Sequence, residues 1–193
     1  MNALTLNIPS AVKLTDEQFY QLCLANRDLR LERTAQGELI VMPPTGGETG
    51  RRNGDFITDL NLWNRQSKLG FVFDSSTGFK LPNGATRSPD ASWVRQDRWE
   101  SLTPEQRQKF PPLCPDFVLE LRSPSDSLET VREKMQEYLN NGCRLGWLID
   151  PQNQRVEIYR LNQEVEIVRS PTTLSGEDVL PGFVLDLTGI LSS

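Results

Sequence analysis

The sequence predicts a mixed α/β (α+β) fold, and three observations lead there. At 193 residues the chain is long enough to bury one proper core and short for two. Its composition, 37% hydrophobic and 24% charged, is that of an ordinary globular protein, so a folded core is expected. Stretches with apolar residues at helical spacing also alternate with short runs of strand character bounded by Gly, Pro, Asn and Asp. One domain over residues 1–193 is the expectation, with residues 1–13 as an N-terminal extension.

Thr15-Asp16-Glu17-Gln18 has the form of a capping box, and Phe19, Leu22 and Cys23 follow at helical spacing, which predicts a short first helix. Leu29 to Thr34 and Glu38 to Met42, split by Ala35-Gln36-Gly37, predict a hairpin that ends at Pro43-Pro44. From about Glu48 to Lys68 the residues Phe56, Ile57, Leu60 and Trp63 form one apolar stripe on a long helix that stops at Gly70. Strands are expected at Phe71 to Asp74, Gly78 to Leu81 and Asp90 to Arg95, and the segment from Trp99 to Pro112 reads as an irregular, partly helical insertion.

Asp116 to Arg122 is a strand whose period of two puts Asp116, Val118, Glu120 and Arg122 on one side. Leu128, Val131, Met135, Tyr138 and Leu139 then mark an amphipathic helix closed by Asn141-Gly142. Three further strands are expected at Arg144 to Asp150, Arg155 to Leu161 and near Glu164 to Arg169.

Several classes of function are excluded by residue counts. There is no histidine, which removes the commonest general base, the serine–histidine triads and the usual zinc enzymes. The three cysteines, Cys23, Cys114 and Cys143, contain no Cys-x-x-Cys pair and indicate neither a disulfide framework nor a thiolate metal site. No apolar run is long enough to span a bilayer, and Met1 to Ile8 lacks the pattern of a secretory signal, so a cytoplasmic location is expected. A net charge of −5 argues against a general nucleic-acid coat protein but not against a nuclease, which needs only a local basic track.

Chemistry must therefore run on carboxylates, Lys, Arg, Tyr and a hard cation. Ser88-Pro89-Asp90 precedes an apolar strand, and thirty positions later Glu120 lies within another, followed by Leu121 and Arg122. The order Pro-Asp, then Glu-x-basic, is the PD-(D/E)XK signature. Around it stand Asp90-Ala91-Ser92-Trp93-Val94, Pro115-Asp116-Phe117-Val118-Leu119-Glu120-Leu121, Ser123-Pro124-Ser125-Asp126, Lys134 with Tyr138 and Gly142, and Trp147-Leu148-Ile149-Asp150-Pro151. With Leu31-Glu32, Gly37-Glu38-Leu39 and Met42-Pro43-Pro44, this set resembles the bacterial family of putative restriction endonucleases over residues 14–187.

The resemblance implies a restriction-endonuclease-like fold: a central mixed, curved sheet flanked by helices, with an N-terminal helix and hairpin. It implies DNA as substrate and a Mg²⁺ ion, replaceable by Mn²⁺, held by Asp90, Glu120 and the Leu121 carbonyl. A homodimer suits the cutting of two strands. The alternative is a catalytically inactive nuclease-fold module that binds nucleic acid or protein. Two departures stand out. Arg122 takes the position where the wider superfamily has lysine, while the family resemblance points to Lys134 as the catalytic cation. The helix near Glu48 carries glutamate where relatives are expected to carry histidine.

Beside the metal, a lysine with a lowered pKa can accept a proton, whereas Arg122 can only stabilise charge and is expected to serve DNA binding. Glu32 and Glu48 are candidate additional acids, with a solvated strand residue as the other reading of Glu32. Asp116 reads as a strand-end residue, about 13 Å from Glu120 along the strand. Arg51 and Arg52 are candidate phosphate contacts, although exposed basic residues on a helix are usually a solvated face. Gly46-Gly47-Glu48-Thr49-Gly50 lacks the Lys-Ser/Thr ending of a phosphate-binding loop and reads as a flexible loop with no nucleotide site.

Overall fold

Thr15 starts the first helix as expected: its hydroxyl accepts from the Gln18 amide while the Gln18 side chain accepts from the Thr15 amide. The computed structural model of the chain describes residues 3–6 and 13–191, so most of the expected N-terminal extension lies outside the described residues. In chain order the first elements are β1 (Leu4–Leu6), α1 (Asp16–Ala25), β2 (Arg30–Arg33), β3 (Leu39–Met42), α2 (Gly47–Ser67), β4 (Gly70–Asp74), β5 (Phe79–Lys80), β6 (Thr86–Arg87) and β7 (Ala91–Arg95). They are followed by α3 (Gln96–Glu100), α4 (Pro104–Gln108), β8 (Phe117–Leu121), α5 (Leu128–Asn140), β9 (Leu145–Asp150), β10 (Arg155–Arg160), β11 (Glu166–Arg169), β12 (Thr173–Ser175), β13 (Val184–Asp186) and α6 (Thr188–Leu191).

The central sheet has six strands in the order β11-β10-β9-β8-β7-β4 and is mixed, with β8 and β9 parallel and the other neighbours antiparallel. A parallel pair needs a crossover, and α5 provides it between β8 and β9. A second sheet, β1-β3-β2-β6-β5, is built on the expected hairpin, with Arg30 opposite Met42 and Arg33 opposite Leu39. The pair β12–β13 stands apart as a short hairpin.

Alternation along β8 divides the core in two. Phe117, Leu119 and Leu121 pack with Phe56 and Leu60 of α2 and with Phe183, Leu185 and Leu187 near the C-terminus. Val118 faces the other way, against Met135, Tyr138 and Leu139 of α5 and Phe79, Leu81 and Ala85 beside the small sheet. Close seating of α5 depends on Gly146 of β9, where an added Cβ would stand 2.5 Å from the Met135 methyl. The central sheet is thus covered on both faces, and Glu120, on the Val118 side, is turned toward α5.

Two boundaries differ from expectation for physical reasons. α2 already begins at Gly47, so residues 47–50 of the expected loop are helical. It ends at Ser67, with Lys68 in the left-handed region at φ 56° and its amide on the Asn64 carbonyl, rather than at Gly70. Gly70 serves packing instead, since a Cβ there would lie 2.2 Å from the Val94 carbonyl and 2.5 Å from the Trp93 ring. Among the described residues no helix is long and apolar enough to cross a membrane.

Candidate active site

Strand register brings the two signature acids together. β7 and β8 pair antiparallel with Ala91 opposite Leu119 and Ser92 opposite Val118, so the next step of the same register sets Asp90 against Glu120. Directly opposed residues in such a pair have Cβ atoms only about 4.5–5.5 Å apart. The Asp90 carboxylate turns toward this strand, and its Oδ2 accepts the Leu121 amide at 2.9 Å. Its Oδ1 accepts from Asn53 Nδ2 of α2 at 3.2 Å. Both donors are neutral, and among the described residues Asp90 has no ion-pair partner.

Glu120 is 7% exposed, and α5 supplies its partners. Lys134 and Tyr138 stand four apart on one helix face. The Lys134 ammonium lies 2.9 Å from Glu120 Oε1, and the Tyr138 hydroxyl donates to the same oxygen at 3.0 Å. This leaves Oε2 as the oxygen without either bond. Lys134 also touches Glu32 Oε1 at 3.0 Å and donates to the Ser88 carbonyl at 3.3 Å. Glu32, buried in β2, accepts in addition from the Ser88 amide at 2.9 Å and from Arg87 Nη1 at 3.2 Å. Arg87 is held from its other side by Glu137 of α5 at 2.5 Å.

The electrostatics of the three acids follow from these partners. Burial pushes Glu120 up to about 7, and the neighbouring negative charges of Asp90 and Glu32 act in the same direction against Lys134. Burial likewise raises Asp90, opposed by the Leu121 amide and by the positive charges of Lys134 and Arg30. For Glu32 burial alone would do the same, but Lys134, Arg87 and the Ser88 amide together hold it below the ordinary glutamate range. Lys134 shows the converse. Burial favours its neutral form, yet Glu120 and Glu32 hold it protonated with a pKa above the ordinary lysine value. With no cation at the pair, two carboxylates in contact thus outweigh desolvation at Lys134.

Asp90, Glu120, Leu121 and Lys134 share the wall of one cleft of about 310 Å³, together with Arg30, Thr49 and Ser88 among others. Among the described residues no group of three or more His, Cys, Asp or Glu side chains is arranged as a metal cage. Two carboxylates on adjoining strands beside a backbone carbonyl form a smaller, all-oxygen donor set. Such a set fits Mg²⁺, which keeps several waters and uses one or two protein carboxylates together with substrate phosphate.

The remaining expected site residues lie elsewhere. Glu48 is exposed on α2 and pairs with Arg51, which also contacts Asp55 at 2.9 Å and the Gly189 carbonyl at 3.1 Å. Arg51 and Arg52 are not among the cleft-lining residues. Asp116 is a structural strand-end residue that accepts the Arg95 amide at 2.9 Å and pairs with Arg98 at 3.0 Å.

Arg122 leans toward β9, whereas Asp90 lies beyond the opposite edge of β8. Its Nη1 donates to both oxygens of Asp150 at 3.2 Å, and its Nε to the Asp126 carbonyl at 3.1 Å. Asp150 is 0% exposed, and its other partners are Arg155 and Asn153. Arg122→Ala is therefore expected to lower unfolding free energy by about 1–3 kcal/mol, the cost of stripping one partner from a buried carboxylate that keeps others. Chemical denaturation measures this. A variant as stable as the wild type but dead toward DNA would return Arg122 to the role that the signature gives it.

Sequence reasoning missed Asn53 as the hydrogen-bond partner of Asp90, and Arg87 and Ser88 as the partners of Glu32. For Asn53 a signal exists, since Thr49, Asn53, Phe56 and Leu60 fall on one helix face that runs from core to cleft.

The comparisons agree with this architecture. The family described as "Uma2: Putative restriction endonuclease" matches residues 16–188. The crystal structure of a putative nuclease belonging to DUF820 from Anabaena variabilis ATCC 29413 is similar to this chain with a TM-score of 0.76. The alignment has 22% identity and covers 92% of this chain and 97% of that one. This likeness establishes a shared fold. No curated protein matches the chain.

Proposed function

The chain belongs to the family of putative restriction endonucleases, and from that premise we propose that it is a divalent-cation-dependent DNA endonuclease whose centre is the Asp90–Glu120 pair. The observation that carries this reading is the register of β7 on β8, which sets two desolvated carboxylates face to face at the wall of a cleft. Like charges in such a position raise one another's pKa, and a cation between them relieves both. Asp90, the free oxygen of Glu120 and the Leu121 carbonyl would hold Mg²⁺, or Mn²⁺ in its place. When bound, the cation supplies positive charge to a phosphate and acidifies a coordinated water.

The chain's own residues do the positioning. The Leu121 amide and Asn53 fix the Asp90 carboxylate, while Lys134 and Tyr138 fix Glu120 through one oxygen and leave the other toward the cleft. Lys134, in contact with both acids, is placed to stabilise negative charge at the pair.

Thermal unfolding with and without Mn²⁺ tests the metal site. A cation that binds only the folded state stabilises it by about 2.7 kcal/mol at a hundredfold excess over its dissociation constant. The midpoint of the wild type is expected to rise with Mn²⁺, and that of Glu120→Gln to stay where it is. If millimolar Mn²⁺ leaves the wild type unmoved, the cation-dependent reading falls and a non-catalytic binding module replaces it.

A further inference from the structure

The site described above leaves a helix end and the hydroxyl of a largely buried threonine on the same cleft wall without partners among the described residues. α2 starts from Gly46, which has no side chain to accept from the first amides, and no side-chain cap bond is made there. The first intrahelical bond runs from the Gly50 amide to the Gly46 carbonyl at 2.9 Å, so the amides of residues 47–49 have no acceptor within the helix. Glu48 does not fold back onto them, being 72% exposed and bonded forward to Arg51. Cβ atoms added at Gly46 and Gly47 would meet nothing within 4 Å, so the space around these two residues is open.

Thr49 is the second, independent observation. It is 8% exposed and lines the cleft that holds Asp90 and Glu120, yet its hydroxyl makes no hydrogen bond among the described residues. The hydroxyl itself is reached by solvent on a cleft-lining residue, so a ligand oxygen can take the place of water there. Arg30 reaches the same cleft from β2. It donates to the Ser75 carbonyl at 2.7 Å and makes no ion pair among the described residues.

A helix N-terminus, a free hydroxyl and an unpaired guanidinium together suit an anion with several acceptor oxygens. An isolated anion would be repelled by Asp90 and Glu120 alongside. One phosphate in a continuous backbone, anchored on either side, is not excluded in that way. We propose that the α2 N-terminus, Thr49 and Arg30 form a seat for one phosphodiester group of a nucleic-acid strand, next to the carboxylate pair. The substrate class rests on the nuclease reading, whereas the set of free donors does not. A seat of this kind fixes the strand's register and carries no base information. Thr49 and Gly47 are accordingly positioning residues.

The test uses the full chain, labelled with ¹⁵N and titrated in Mg²⁺ with the dinucleotide thymidylyl-(3′→5′)-thymidine, which carries a single phosphodiester. Saturable shifts are expected in the amides of residues 47–49. Thr49→Val removes the hydroxyl at nearly constant shape. Gly47→Pro removes one amide where proline is well tolerated, because it is the first helical position and Gly46, at ψ 156°, already has the extended conformation that precedes proline. Each variant is expected to raise the dinucleotide's dissociation constant about fivefold, the scale of one net hydrogen bond, with the Mn²⁺ affinity of the Asp90–Glu120 pair unchanged. Shifts that spare residues 47–49, or two variants that bind the dinucleotide as tightly as the wild type, overturn the proposal. Binding at α2 in a protein that never nicks plasmid DNA keeps the seat and removes the nuclease reading. Nicking without any response at α2 does the reverse.

Discussion

Asp90→Asn is expected to fold at least as stably as the wild type and to nick plasmid DNA on the order of 10³-fold more slowly, the scale of losing one preorganised charged group at a reacting centre. The first half of this expectation comes from the hydrogen bonds. The Asn carbonyl can accept the Leu121 amide as Asp90 Oδ2 does now at 2.9 Å. The new NH₂ would then face Asn53, whose amide oxygen is buried without a hydrogen-bond partner among the described residues. Turning over the Asn53 amide presents that oxygen to the new donor, so the hydrogen bond between the two side chains is kept with its direction reversed. A desolvated charge with no ion-pair partner also disappears, which favours the fold.

The second half follows from the same change. A neutral amide donates one hydrogen bond where the carboxylate offered charge to a cation, and the all-oxygen donor set loses half of its formal charge. Stability and activity thus move in opposite directions at Asp90, as expected where a fold carries strain for function. Plasmid nicking followed over time in Mg²⁺, with thermal unfolding of the same preparations, measures both. Nicking at the wild-type rate would remove Asp90 from the active site. A lowered midpoint would instead mean that the carboxylate serves structure.

Features set by local chemistry were legible in the sequence. The capping box of α1 involves residues three apart, the stripe of α2 recurs within each turn, and the β2–β3 hairpin closes over a few residues around Gly37 at φ 93°. The Pro89-Asp90 and Glu120 motifs marked two strands, yet their spacing could not give the register that opposes them, because α3 and α4 lie between. Strand β1, which pairs with β3, fell inside the expected extension. The pair β12–β13 was equally silent, each strand having only three residues and one buried side chain. Three-residue strands leave too little alternation to read.

The two competing cations illustrate the same limit. Alternation puts Arg122 on the Glu120 side of a strand that in fact ends one residue earlier, at Leu121, and sequence does not say to which neighbouring strand a side chain leans. That depends on Asp150, buried at the end of β9 and reached only through the parallel pairing of β8 with β9. Lys134 stands at the margin of the α5 stripe on a helical wheel, and its contact with Glu32 spans the interval from the hairpin to the crossover helix. No local pattern encodes such a contact.

Lys134→Ala is therefore expected to have two effects, a cleavage rate lower by about 10²-fold or more and a loss of about 3–5 kcal/mol in stability. Sequence reasoning expects the fold to stay intact in this variant, and the contacts revise that expectation. The ammonium lies 3.0 Å from Glu32 and 2.9 Å from Glu120, both buried, and removing it takes a cation from two buried carboxylates at once. Among the described residues Glu32 retains Arg87 and the Ser88 amide, whereas Glu120 retains only the Tyr138 hydroxyl. The effects can be separated by adding Glu32→Gln to Lys134→Ala. The second change neutralises the other carboxylate that Lys134 pairs with and leaves Asp90, Glu120 and Tyr138 untouched, so the two changes should couple, with part of the lost stability regained. Cleavage should not return, because the fixed positive charge at Glu120 is still missing and, among the described residues, Tyr138 is the other side chain bonded to that oxygen. Urea denaturation and plasmid nicking of the wild type, the single variants and the double variant give the full cycle. A double variant that regains both stability and cleavage would reduce Lys134 to an ion-pair partner. Recovery of stability alone assigns Lys134 a part in the chemistry beyond its ion pairs.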